Sequence, residues 1–211
     1  MPPKKPANRA TAPRKRRTAD EAREAILDAA ERHLVASGPD GIRLQEVARD
    51  VGVSHPTVLH HFGSREGLVK AVVARALDSL HRVVLGAVGR SQGVEQMAAV
   101  LEDVARGFSE GGHARAFLWL ALSGYAPDLE DLRIRGVAEA VHEVRRGRRT
   151  GKKKMPPFED TYFTVLLAAV SLLSLSVIPA PTQLDGDAPC SAPRFREWLA
   201  KLMHDHLEAD G

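Results

Sequence analysis

The chain has 211 residues, 44% of them hydrophobic and 5% aromatic, enough for one large domain or two small ones with mainly aliphatic cores. Its net charge of +3 is unevenly spread: Lys4, Lys5, Arg9, Arg14, Lys15, Arg16 and Arg17 stand in residues 1–18 with no acid, leaving 23 basic and 27 acidic groups in the rest. A single cysteine, Cys190, excludes a disulfide framework or a Cys-based metal site within one chain, and the basic N-terminus lacks the apolar run of a secretory signal.

Residues 1–17 read as a disordered basic arm, attracted to phosphate. Thr18 and Glu21 have capping-box spacing and open helix 1, whose apolar stripe is Ile26, Leu27, Ala30 and Leu34. Ser37-Gly38-Pro39-Asp40-Gly41 stops it. Helix 2 is expected from Leu44 to Asp50, and Gly52 makes the following turn because it takes positive φ without a Cβ penalty. Ser54 is placed to cap a short helix 3, His55 to His61, with Pro56 in its first turn. Ser64 caps a long helix 4, Arg65 to Val88. A helix, a Gly turn and a short polar helix make a helix-turn-helix, the geometry that suits the DNA major groove.

The second half has no strand-like alternation. Helices are expected at about 93–109, 113–123, 129–146, 158–177 and 193–207, with Pro127 before the third of these. Gly136 implies a kink or a close backbone contact. Residues 145–154 hold seven basic side chains and read as a solvated loop, and a Pro/Asp/Gly loop spans 179–193. The apolar run from Tyr162 to Ile178 is broken by Thr164, Ser171, Ser174 and Ser176, so it reads as a buried interface helix rather than a membrane span.

Residues 20–75 resemble the tetracycline-repressor (TetR) family of bacterial regulators. The matching residues are Ile26-Leu27-Asp28-Ala29-Ala30, Val47-Ala48, Gly52-Val53-Ser54, His61-Phe62 and Arg65-Glu66-Gly67-Leu68. Two positions depart from the family pattern. Arg43 replaces the usual Thr or Ser opening helix 2, so that cap is lost or supplied by Asp40. Leu59 replaces a phosphate-reaching aromatic, usually Tyr, at a cost of about 1 kcal/mol of hydrogen bonding.

The resemblance implies an all-α chain of about nine helices: the arm (1–17), a three-helix DNA-binding domain (18–65) and a larger helical ligand-binding and dimerisation domain (66–211). It places Arg43, Ser54, His55, Pro56, Thr57, Leu59, His60, His61, Arg65 and Lys70 toward DNA. Thr57 offers a hydroxyl to phosphate or a base edge and a methyl to thymine, and Arg65 and Lys70 are expected at phosphates. Pocket walls are expected from Leu101, Val104, Phe108, Phe117, Trp119, Leu122, Val137, Val141, Phe163, Leu167 and Val170; the same residues read equally well as ordinary core. By family analogy the last two helices pair two copies through Leu172, Leu175, Phe195, Trp198, Leu199 and Leu202, with Ser171, Ser174 and Ser176 allowing close approach.

His55, His60 and His61 lack the i, i+4 spacing of metal ligands on one helix face, so neither a metal nor a cofactor is expected. No nucleophile–base pair or phosphate loop argues for an enzyme. The expectation is a cytoplasmic homodimeric repressor that binds a palindromic operator on double-stranded DNA and is released by a small apolar or amphipathic ligand. A bulk DNA-organising protein using the basic arm is the alternative.

Overall fold

The computed structural model describes residues 18–89, 93–125, 133–148, 155–178 and 191–208. Among them the secondary structure is helical throughout: α1 Ala19–Ser37, α2 Leu44–Val51, α3 His55–Phe62, α4 Arg65–Ala87, α5 Val94–Ser109, α6 His113–Leu122, α7 Ile134–Arg148, α8 Phe158–Leu175 and α9 Ala192–Glu208. Short 3-10 turns at Pro39–Gly41 and Glu110–Gly112 join α1 to α2 and α5 to α6. The basic arm, Pro127 and Leu129, the distal half of the basic cluster, and the 179–190 loop with Cys190 lie outside the described residues.

Three of the first four helices start at a side-chain cap. The Thr18 hydroxyl accepts from the Glu21 N–H at 3.2 Å, and the Glu21 carboxylate accepts from the Thr18 N–H at 2.9 Å, closing the capping box of α1. Ser54 accepts from the Thr57 N–H and Ser64 from the Gly67 N–H, capping α3 and α4. Helix α2 lacks such a cap: Arg43 makes no side-chain bond to its first turn, and Asp40 is engaged elsewhere. Gly52 ends α2 at φ +73°, ψ +37°, the left-handed conformation that the turn into α3 requires.

Ile26, Leu27, Ala30 and Leu34 of α1 meet Val47 and Ala48 of α2, Val58 of α3 and Leu68, Val69 and Val72 of α4, all buried. The same core continues into Leu101, Ala105 and Phe108 of α5, Ala116, Phe117 and Leu120 of α6, Leu172 of α8 and Leu199, Ala200 and Met203 of α9. It therefore runs across the sequence boundary expected at residues 65–66. A second cluster joins α7 to α8 through Ile134, Ala138 and Val165.

Gly136 does not interrupt α7. A Cβ there would lie 3.1 Å from Cε1 of His81, so the glycine marks a close approach of α4 to α7. Helix α8 is long and apolar enough, by length and composition, to cross a membrane, with a mean hydropathy of 1.4 over 18 residues. Thr164, Ser171 and Ser174 interrupt its apolar surface, the feature that favours an interface helix. Its inner side, Thr161, Val165, Ala168, Leu172 and Leu173, packs into the bundle.

Candidate nucleic-acid interface and adjoining cavity

Helix α3 anchors itself with one fully buried side chain, Val58, and turns much of the rest outward. Pro56, Leu59 and His60 are exposed, and His55, Thr57 and His61 are half-buried. The His60 and His61 rings meet edge to face at 5.6 Å, and His61 also leans on Phe62. The Arg23 guanidinium of α1 covers Phe62 at 5.1 Å, pinning the end of α3 to α1. Helix α3, HPTVLHHF, contains neither Lys nor Arg. Arg43 at the start of α2 and Lys70 on α4 are the exposed basic neighbours from the expected set.

Three of the expected DNA-facing groups, Ser54, Thr57 and Arg65, are already committed. The Ser54 hydroxyl caps α3 and also pairs with the Thr57 hydroxyl at 2.8 Å. Thr57 thus has its hydroxyl engaged within the protein, which favours its methyl as the contact surface. Arg65, expected at a phosphate, turns inward instead. Its guanidinium donates to the Pro39 carbonyl at 2.6 Å and to the Asp40 carboxylate at 3.3 Å. It also lies 5.1 Å from the centre of the Trp119 ring, and Trp119 Nε1–H donates to the same Asp40 oxygen at 3.1 Å. One carboxylate thereby joins the α1–α2 turn, the start of α4 and α6. No local pattern marks this node, because its members are 25 and 79 residues apart.

A second polar seam binds α1 to α4. Arg75 donates to Asp28 and Glu31, with Glu24 beside them, and His113 reaches Glu31 at 3.2 Å. Burial would lower the Arg75 pKa, but the hydrogen bonds to Asp28 and Glu31 outweigh it and hold the guanidinium above its ordinary value.

On the far side of α4 lies a cavity of about 170 Å³ between α4, α5, α7, α8 and α9. Leu101, Val104, Phe108, Val137 and Val141 line it, as the sequence reading placed them. Six other expected wall residues do not. Phe117 is packed in the core and Trp119 sits on Arg65. Leu122 is 89% exposed at the end of α6, and Phe163, Leu167 and Val170 point away from the bundle. The last three recur at i, i+4 and i+7, so one error in the phase of α8 displaced all of them. Leu172, expected at a dimer face, is on the inner side of α8 and lines the cavity. Leu199 is likewise buried, because α9 turns that residue toward α5. Of the other expected dimer residues, Trp198 and Leu202 are exposed and Leu175 and Phe195 are half-buried.

Arg145 and Arg148, read from the sequence as part of a solvated loop, belong to α7 and line the cavity together with His204 and Glu208 of α9, and both arginines are held by polar partners. Arg145 of α7, buried, donates to Asp160 and to the Thr161 hydroxyl, both at 2.8 Å, and His142 Nδ1 pairs with that hydroxyl at 3.0 Å. Arg148 donates to Glu208 of α9 at 2.7 Å, and His206 meets Asp160 at 2.9 Å. Burial would raise the Asp160 pKa, but hydrogen bonds from Arg145 and His206, with their charges, hold it below the ordinary carboxylate value. His81 of α4 also lines the cavity, and its Nδ1 is buried without a hydrogen-bond partner.

Residues 26–72 match the sequence profile described as bacterial regulatory proteins, tetR family. The chain is 28% identical over 196 residues to the HTH-type transcriptional regulator AlkX of Mycobacterium tuberculosis (strain ATCC 25618 / H37Rv), covering 90% of this chain and 86% of that protein. Its fold is similar to a tetR-family transcriptional regulator from Streptomyces coelicolor, with TM-score 0.63, 17% identity and coverage of 90% of this chain and 82% of the other. It is similar also to the TetR family repressor AlkX of Dietzia sp. strain DQ12-45-1b, implicated in biodegradation of n-alkanes, with TM-score 0.59, 17% identity and coverage of 89% and 95%. A capped helix-turn-helix with an outward-facing α3, joined through α4 to a helical body and matched in sequence and fold to these proteins, supports a DNA-binding transcriptional regulator of the TetR family.

Proposed function

We propose that the protein is a homodimeric repressor working in the cytoplasm, with residues 18–65 as its reading head and residues 66–211 as its sensing and pairing part. Two copies of α3 lie in successive major grooves of a palindromic operator, with His55, Pro56, Thr57, Leu59, His60 and His61 toward the bases and Arg43 and Lys70 toward phosphates. The basic arm adds phosphate or minor-groove contacts. Pairing uses the exposed apolar stripe of Phe163, Leu167 and Val170 on α8 with Trp198 and Leu202 on α9. An apolar face of this kind is better covered than left in water.

A small, largely apolar effector occupies the cavity. The observation that carries this reading is the reach of α4: it begins at Arg65, next to α3, and supplies Leu77, Leu80, His81 and Val84 to the cavity wall. An effector that favours one tilt of α4 changes the spacing of the two recognition helices by its differential affinity for the two states. Repression is supported by the role of the Dietzia fold neighbour.

The test is selection of genomic fragments by the purified protein at physiological salt, scored against random DNA. Enrichment of one short palindrome by roughly 10³-fold or more supports the reading. Binding that only fades with salt, without enrichment, replaces it with the bulk organiser.

A further inference from the structure

If the cavity is the effector site, as proposed above, its chemistry narrows what it accepts. The volume of about 170 Å³ is small. An apolar cavity of roughly 150 Å³ in another protein holds one benzene molecule, so the fit here is a single ring or an equally short chain. Its walls are mostly aliphatic: Leu77, Leu80, Val84, Val104, Val137 and Val141 among others.

The charged groups at the rim do not wait for a charged ligand. Arg145 is bound to Asp160 and Thr161, and Arg148 to Glu208. A carboxylate entering the cavity would meet guanidinium charges already balanced by Asp160 and Glu208, with the Glu208 carboxylate itself at the wall, so its desolvation would be poorly offset. What the wall does lack is one hydrogen bond. His81 Nδ1 is enclosed and unpartnered, and a Cβ added at Gly136 of α7 would lie 3.1 Å from Cε1 of its ring. A buried imidazole nitrogen without a partner leaves its desolvation uncompensated. A hydroxyl suits it in either tautomer, since a hydroxyl both donates and accepts.

We infer that the cavity takes a neutral, ring-sized apolar molecule bearing one hydroxyl, and that this hydroxyl pairs with His81. Because Nδ1 is closed off in this conformation, the pairing requires the ring or α4 itself to shift against Gly136. The ligand therefore favours a shifted state over the one described here, which is the differential affinity an effector needs.

The experiment is an NMR titration of the full-length protein with benzene, phenol and benzoate, with the His81 ring signals identified by their loss in His81→Leu. The expected result is phenol binding roughly fivefold to tenfold tighter than benzene, benzoate binding weaker than phenol, and His81 signals that move with phenol alone. In His81→Leu the phenol preference should disappear while benzene still binds. Gly136→Ala, which crowds the ring, should weaken phenol more than benzene. Equal binding of phenol and benzene by the unaltered protein overturns the role of His81 and leaves the cavity reading standing. Tightest binding by benzoate overturns the neutral-ligand inference, since the arginine charges would then be open to a ligand anion. Binding of none of the three, by protein that still selects its operator, overturns the effector cavity itself.

Discussion

At Thr57 a single residue divides its two ends between two tasks. Its hydroxyl is held by Ser54 and its methyl is left for DNA. Thr57→Val should therefore keep operator affinity within about threefold while lowering thermal stability by about 1 kcal/mol. Thr57→Ser should keep the stability and lose discrimination at one thymine; anisotropy titrations on operators with that base changed would read the difference. Arg65 makes a second case. Arg65→Gln should cost about 1–3 kcal/mol in denaturant unfolding, since it strips partners from Asp40, Pro39 and Trp119. The salt slope of DNA binding should stay unchanged, because no phosphate contact is lost; a shallower slope would return Arg65 to the DNA face. The sequence placed Arg65 at the right helix terminus but not its direction. A side chain's partner across 54 residues of chain is set by packing, and local pattern carries no trace of it.

Capping is a property of the element, and α2 is the first-domain helix without it. Arg43→Thr should add about 0.5–1 kcal/mol to unfolding free energy by supplying the missing acceptor. It should also weaken DNA binding if Arg43 lies at a phosphate, so melting and binding measurements should move in opposite directions. Helices α7 and α8 share another dependence, through Asp160. Its carboxyl pKa is depressed in the folded protein, so it contributes stability that is present above about pH 4 and lost as pH falls through the lower folded value. Thermal melts from pH 5 to pH 2 should show a steeper loss for the unaltered protein than for Asp160→Asn; parallel curves would remove Asp160 from acid sensitivity. Helix starts were legible where Thr18, Ser54 and Ser64 provide caps, and α7 was placed less closely. The facing of α8 was not legible. A helix apolar on nearly every side has no periodic signal to say which stripe is inward, so Phe163, Leu167 and Val170 exchanged places with Leu172.

For the molecule as a whole, α4 sets the scale. Its 23 residues extend about 34 Å at about 1.5 Å per residue, and its two ends answer to different partners. The start is tied by Arg65 to Asp40, and its later turns face α5 and α7. Such an arrangement predicts that Trp119→Leu, by loosening the Asp40 node, weakens the response of operator binding to any effector more than it weakens operator binding itself. The helix-turn-helix was legible from its residues, whereas the core that continues from it into α5, α6, α8 and α9 emerges only from packing. The absence of Lys and Arg from α3 has its own consequence. Attraction to phosphate, and the counterion release that comes with it, must be supplied by groups outside the recognition helix. Preference for one sequence and appetite for any DNA are then set by separate parts of the protein. Raising salt should depress both affinities together and leave their ratio nearly constant, so selectivity would survive changes in the ionic content of the cell that occupancy would not.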